Sequence, residues 1–317
     1  MNFRQMQYFS AVYEEGSFSK AALRENCTQS GLSQQVRRLE ERLGMPLFAR
    51  TPFGVEATAA GTEYYKRCVA ILQSVHAAEQ HMTGLRGQLS GTVRAGLIPS
   101  LTKGVLAGVL NDFTAAHPYV ELRILEAYSR PLTDQVIADE LDFAIVPVLP
   151  ETSVPGLRCR ILSREHEMLL SGPALGLQNL APLPLAEIAG LKLVLPSPVN
   201  SRRPYLDNQL ASAGIVPRQV MNIDGMVGTL EFVAESDWAT ILPVTNCIDE
   251  VARGRFVINP IVAPAIDFEF VLIEANRRPL SAAARLFVAA IEAKLDEVSV
   301  RWARWTGQSP EAAALRS

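Results

Sequence analysis

The sequence predicts an α+β chain of several domains: a small helical unit, one long connecting helix, and two α/β lobes. Three observations predict it. Apolar residues recur at helical spacing through the first part of the chain, and a stripe at roughly 3.5-residue spacing then continues to Leu89. After Gly91, short apolar runs alternate with amphipathic segments. A length of 317 residues allows two or three separate cores.

Phe3, Met6, Phe9 and Val12 share one face of a first helix, which Gly16 ends. Ser17 offers an N-cap to a short second helix closing near Asn26, where Ala21 and Ala22 permit close crossing. Thr28 offers another cap, and 29–43 reads as one helix with Leu32, Val36, Leu39 and Leu43 in its apolar stripe. Ser30, Ser33, Gln34, Arg37, Arg38 and Glu41 occupy the opposite face. Two short helices joined tightly, the second polar outside, form the helix-turn-helix pattern; the same spacing also fits a solvated helix in a small bundle. Chemistry favours the first reading, because Ser and Gln near the N-terminal end reach base edges while arginines farther along suit phosphates. Gly31 stands in the first turn at a cost of roughly 0.5–1 kcal/mol relative to alanine, with no local reason for it.

Residues 47–50 lead into Thr51-Pro52-Phe53-Gly54-Val55-Glu56, a turn flanked by Pro and Gly that suits a two-stranded wing. Thr58 caps the long helix, whose stripe is Tyr65, Val69, Leu72, Val75, Met82, Leu85 and Leu89. A helix of about 30 residues spans on the order of 45 Å, too long to bury its stripe in so small a domain. A partner helix from a second copy of the chain is expected.

Composition removes several classes. A net charge of −3 excludes a chain coated with positive charge, though not one small DNA-reading module. Cys27, Cys68, Cys159 and Cys247 are scattered without C-x-x-C spacing, which predicts no metal site, no disulfide framework and a reducing compartment. The N-terminus lacks a basic segment followed by an apolar stretch, and no run of about 18 apolar residues occurs. The expectation is a cytoplasmic protein with no membrane partner. His76, His81, His117 and His166 show no nucleophile or metal-ligand spacing, and no G-x-S-x-G, P-loop or G-x-G-x-x-G motif is present. No enzymatic activity and no cofactor are expected.

The run Ser17-Phe18-Ser19-Lys20-Ala21-Ala22, then Leu32-Ser33-Gln34-Gln35-Val36-Arg37-Arg38-Leu39-Glu40-Glu41-Arg42-Leu43-Gly44, then Pro46-Leu47-Phe48-Ala49-Arg50, resembles the LysR-type transcriptional regulators. The resemblance is dense over about sixty residues, and overall length and domain order extend it to the whole chain. It implies a winged helix-turn-helix, a long linker helix, and two Rossmann-like lobes of periplasmic-binding-protein type. It also implies that Gln29, Ser30, Ser33 and Gln34 enter the major groove of promoter DNA, with Arg37 farther along the helix and Arg50 beside the wing on the backbone or minor groove. Many relatives carry a basic residue where Phe53 stands, and Glu56 adds a negative charge, so minor-groove reading by an arginine at the tip is not expected here.

In the rest of the chain, strands are expected at 92–98, 120–127 and 142–148 and helices at 101–117 and 131–140, an order that predicts a mainly parallel sheet. A second unit begins near Glu167, with strands at 192–195, 218–223 and 239–242 and helices at 201–213 and 226–234. A return strand at 268–274 and a helix at 281–297 follow, and the resemblance implies that they close the first lobe. The expected domains are 1–58 for DNA binding, 59–90 for the linker, 91–163 with 268–300 for lobe I, 164–267 for lobe II, and 301–317 as a tail.

Ligands of such sheets sit at the carboxyl ends of strands beside helix N-termini. Pro99-Ser100-Leu101-Thr102 and Pro196-Ser197-Pro198-Val199-Asn200-Ser201-Arg202 are the two junctions of that kind. Each also reads as plain helix capping. The resemblance places an effector cleft there, so Ser100, Thr102, Asn200 and Ser201 are candidate contacts, with Tyr128, Val146 and Pro147 as walls and Arg202 as partner to a carboxylate. A small anion is the expected effector, resting on the helix termini and Arg202. Trp238, after Glu235-Ser236-Asp237, either reshapes one side of the cleft or belongs to the core. A solute-binding protein without gene regulation is the competing reading, and a cysteine-based peroxide switch is not expected, because lobe II contains only Cys247.

Overall fold

The computed structural model describes residues 3–51, 54–84, 89–147 and 154–306. Helices α1 (Phe3–Glu15), α2 (Phe18–Arg24) and α3 (Gln29–Leu43) open the chain. Gly16, at φ +59°, ends α1, and the Ser17 hydroxyl accepts the Lys20 N–H at 3.4 Å to start α2. The Thr28 hydroxyl accepts the Gly31 N–H at 3.2 Å. That bond explains Gly31, because a Cβ there would stand 2.9 Å from Thr28 Oγ1 and crowd the cap. Met6, Phe9, Val12, Ala21, Leu32, Val36 and Leu39 fill the small core, whereas Phe3 is exposed.

Strands β1 (Phe48–Thr51) and β2 (Gly54–Ala57) pair antiparallel, Phe48 opposite Ala57. The Glu40 carboxylate accepts the N–H groups of Leu47 at 2.7 Å and Phe48 at 3.1 Å, which ties α3 to this hairpin. The expectation for Phe53 lies outside the described residues. Helix α4 (Ala59–Gly84) begins where Thr58 caps Gly61 at 3.0 Å. Only a glycine fits at position 61, since a Cβ would be 2.1 Å from the Leu47 carbonyl oxygen. Tyr65, Cys68 and Leu72 are buried, and the Tyr65 ring stacks on Tyr13 at 4.0 Å. Ile71 and Val75 of the same helix remain exposed.

Lobe I starts with β3 (Gly91–Leu97), followed by α5 (Pro99–Leu101), a π-helical turn Thr102–Leu106 and α6 (Ala107–Ala116). Strand β4 (Val120–Glu126), α7 (Ser129–Ile137) and β5 (Phe143–Pro147) follow, and β3 pairs parallel with both β4 and β5. Strand β6 (Leu157–Ser171) pairs with a later strand through residues 157–166 and with lobe II strands through 167–171. The chain therefore passes from one lobe to the other inside a single strand.

Lobe II holds β7 (Leu183–Pro184), β8 (Lys192–Leu195), α8 (Arg202–Ser212), β9 (Gln219–Asn222), α9 (Met226–Ala234), β10 (Trp238–Pro243), α10 (Val244–Arg253) and β11 (Val257–Val262). Strands β8, β9 and β10 pair parallel, as expected. Strand β12 (Asp267–Ala275) returns beside β6 and β5, antiparallel to both. The strand order is β4-β3-β5-β12-β6-β10-β8-β9, with β11 also on β6. Sequence patterning did not anticipate β6, α10 or β11. Helix α11 (Ala282–Thr306) packs Phe287, Ile291, Leu295 and Val298 into lobe I. It also runs into the stretch expected as a tail, because Trp302 is buried in the same core. Trp238 is a core residue too, its ring 5.8 Å from that of Phe232.

The helical N-terminal unit rests on lobe I. The Gln73 amide donates to the Asn276 carbonyl, and Arg277 joins Glu25 at 3.4 Å to Asp139.

Candidate functional site

The outer face of α3 is held from behind and open in front. Leu32, Val36 and Leu39 are buried, while Gln29, Ser30, Gln34 and Arg37 are exposed and Ser33 is half-buried. The Ser19 hydroxyl donates to Gln29 Oε1 at 3.2 Å, which orients that side chain from α2. Arg37 pairs with Glu41 at 3.0 Å along the exposed face, a bond weak enough in water to yield to a phosphate. Arg50 lies in β1 opposite Val55; its side chain is outside the described residues.

The second site lies between the lobes. A chamber of about 60 Å³ is lined by Ser100 and Tyr128 from lobe I and by Asn200, Thr229 and Thr240 from lobe II, over apolar walls that include Ile98, Val194 and Leu242. Two contacts hold the lobes together at its rim. The Ser129 and Ser201 hydroxyls meet at 2.7 Å, and the Tyr128 hydroxyl donates to the Asp224 carbonyl. Of the residues expected from sequence, Ser100, Tyr128, Pro147, Asn200 and Arg202 line the chamber. Val146 is buried in β5 and is not part of the wall. Thr102 faces a separate outer depression beside Lys103 and Glu126, and its hydroxyl donates to the Pro99 carbonyl at 3.1 Å and to Glu126. Thr229 and Thr240 were missed; both sit inside apolar runs where only the tertiary fold turns them inward.

Arg202 corrects the expectation drawn for it. It is buried, and its guanidinium donates to Glu167 at 2.6, 2.7 and 3.2 Å and to the Ile241 carbonyl at 2.8 Å. A group so fully engaged is not waiting for an effector carboxylate. Burial pushes the Glu167 carboxyl up, and the charge of Arg202 pulls it back. Two residues earlier, Glu165 is buried without a cation. Burial pushes its carboxyl up to about 7; the Thr245 hydroxyl and N–H, the latter at 2.9 Å, oppose the shift, and the Glu167 charge adds to it. Both glutamates flank the point where β6 changes lobes. Beside them, Asn246 donates to the Ser100 carbonyl at 3.0 Å and Lys103 reaches Glu250 at 3.0 Å, so α10 grips the first helix of lobe I. Gly104 allows this approach, since a Cβ would be 2.8 Å from the Thr245 carbonyl oxygen.

This geometry has counterparts among known proteins. The family model described as the LysR substrate binding domain matches residues 86–296, and the bacterial regulatory helix-turn-helix protein, lysR family, matches residues 3–62. The chain belongs to the LysR family. This LysR-type DNA-binding transcription regulator is 25% identical over 302 residues to the HTH-type transcriptional regulator BbuR of Bordetella bronchiseptica, covering 95% of this chain and 92% of that one. It is 34% identical over 196 residues to IlvR of Caulobacter vibrioides, covering 62% of this chain and 66% of that one. Among solved structures, an H2O2-bound cysteine mutant of Corynebacterium glutamicum OxyR shares the fold at a TM-score of 0.60 and 21% identity, over 97% of this chain and 98% of that one. Full-length CbnR complexed with its target DNA shares it at 0.54 and 20% identity, over 93% and 99%. The competing reading, a solute-binding protein without gene regulation, finds no support among these relatives. Among the described residues, no helix is long and apolar enough to cross a membrane.

Proposed function

We propose that this regulator reads promoter DNA by laying the N-terminal end of α3 in the major groove, with Gln29, Ser30, Ser33 and Gln34 on base edges and Arg37 and Arg50 on the backbone. The observation that carries it is the exposed polar end of α3, capped by Thr28 and braced by Leu32, Val36 and Leu39. Two copies pair through α4, whose exposed Ile71 and Val75 a second helix would cover, and so present two reading heads. CbnR, similar in fold, is a protein solved with its target DNA. The relatives are transcription regulators, and this chain acts in the cytoplasm as one of them, without catalysis.

The chamber receives a small-molecule effector. It supports that role because it is formed jointly by the lobes, so a ligand that prefers one lobe angle shifts the population of that angle. A cysteine switch is disfavoured, since burial pushes the Cys159 and Cys247 thiols up and away from the reactive thiolate. An electrophoretic mobility shift with the intergenic DNA next to the chain's own gene tests the DNA reading. Retardation over random DNA at equal salt is expected; equal affinity for both overturns it.

A further inference from the structure

The chain changes lobes inside β6, and charge is buried at that point. Glu165 lies in the part of β6 that pairs with β12, and Glu167 in the part that pairs with β10. Side chains two apart on a strand share a face, about 7 Å from each other. The two carboxyls therefore stand on either side of the changeover, 4% and 0% exposed. Glu165 is gripped from the other lobe. At the start of α10, the Thr245 N–H donates to its carboxyl at 2.9 Å, and the Thr245 hydroxyl donates as well.

The charges around Glu165 do not balance. Arg202 of α8 is committed to Glu167 and the Ile241 carbonyl. Lys103 of the π-helical turn is committed to Glu250 and the Asn246 carbonyl, both at 3.0 Å. Helix α10 also brings Cys247, whose thiol burial pushes up and keeps neutral. Strand β12 sets Phe268 opposite Glu165. Its Asp267 and Glu269 pair with His166 and Arg164, which alternate onto the other face of β6. Among the described residues, the buried carboxyls of Glu165, Glu167 and Glu250 thus share two cations, and Glu165 is the one left over. Ionising it sets an unmatched charge in the interior beside Glu167; a proton on Glu165 removes that cost.

We propose that this proton works the hinge: with it, Glu165 fits the lobe angle described above, and without it the lobes take an angle that lets water reach the carboxylate. The contact between Glu165 and Thr245 crosses from lobe I to lobe II, so a change of angle moves one against the other. The proton passes to solvent. Burial pushes the buried carboxyl up to about 7, against an ordinary 4.5 where it is solvated. Preference for the described angle is therefore full below about 4.5 and is lost as the pH rises through about 7. This gives the lobes a second input beside the effector, and no effector is needed to see it.

Amide exchange and DNA affinity of the full-length protein between about pH 6 and 8.5 test this, with intrinsic exchange rates divided out. The candidate DNA contacts Gln29, Ser30, Ser33, Gln34, Arg37 and Arg50 do not titrate in that window. Protection of the Thr245 N–H is expected to fall about tenfold, and affinity for the intergenic DNA to change about fivefold, around a midpoint near 7. Glu165→Gln should remove both responses. Thr245→Val takes one hydrogen bond from the anion and should move the midpoint up by about one pH unit. His166→Gln should leave both responses in place. Proton loss without a change of angle strengthens the Thr245 hydrogen bond, so protection that rises with pH overturns the proposal. A flat profile, a midpoint that Thr245→Val leaves in place, or loss of the responses in His166→Gln does the same. So does protection that falls while DNA affinity stays constant. Effector binding enters none of these readouts, so the effector reading stands or falls separately.

Discussion

The outer face of α3 and the chamber between the lobes use the same side-chain chemistry in opposite settings. Each presents hydroxyls, amides and an arginine. On α3 they are solvated, and Arg37 is held only by an exposed Glu41 one turn away. In the chamber they are buried, and Arg202 is held by a carboxylate with no exposed surface of its own. The difference sets what each can recognise. A solvated arginine exchanges water and a weak partner for a phosphate at little cost, whereas a buried one is fixed by the ion that came with the fold. A charged surface suits a polyanion; in the chamber the Arg202 charge is already matched within the fold.

Breaking the buried pair should have the largest effect. Glu167→Ala leaves the Arg202 guanidinium buried and unmatched, and urea unfolding is expected to show a loss of about 3–5 kcal/mol. A loss below about 1 kcal/mol would mean that water reaches the group and that the contrast with Arg37 is overstated. On the other side of the comparison, Gln29→Ala or Ser33→Ala should leave Tm nearly unchanged while weakening specific DNA binding by about 1–3 kcal/mol per lost base contact. Phe53→Ala should change DNA affinity little.

A smaller effect comes from Glu165. Its folded carboxyl titrates at about 7, above the ordinary value of 4.5, so the folded chain keeps a proton that the unfolded chain has released. Stability contributed by that proton is fully present below about 4.5 and is lost as the pH rises through about 7. Chemical denaturation across this window should show a downward slope that Glu165→Gln flattens; an unchanged slope would assign the titration to another group. Smallest of all is Arg37→Ala, which removes an exposed i,i+4 pair worth about 0.3–0.5 kcal/mol. Its signature belongs in the salt dependence of DNA binding, where the log–log slope should fall by about one if Arg37 meets a phosphate.

The two sites were unequally legible, for physical reasons. Gln29 through Gln34 could be read directly because a helix turns sequence spacing into a face, and the caps Ser17 and Thr28 are local chemistry. Gly31 and Gly61 were not explicable that way: one yields to a capping hydroxyl, the other to the Leu47 carbonyl, and both neighbours are known only from coordinates. Ser100 and Asn200 were found because helix starts advertise themselves. Thr229 lies in the apolar helix α9 and Thr240 in the fully buried strand β10, and nothing in either segment marks them as facing a void. The alternation of charge in Arg164-Glu165-His166-Glu167 looks like a solvated strand, yet while Arg164 is exposed and His166 half-buried, Glu165 and Glu167 are fully buried where the chain changes lobes.

By itself, the sequence determined the N-terminal helices and the long linker helix, because each follows from local periodicity and caps, while the winged unit and the two-lobe arrangement were implied by the resemblance carried in residues 17–50. Only the tertiary structure decided which charges are free. Arg202 and Glu167 are 35 positions apart along the chain, and their pairing, which takes that guanidinium away from an effector carboxylate, exists only where β6 crosses from one lobe to the other.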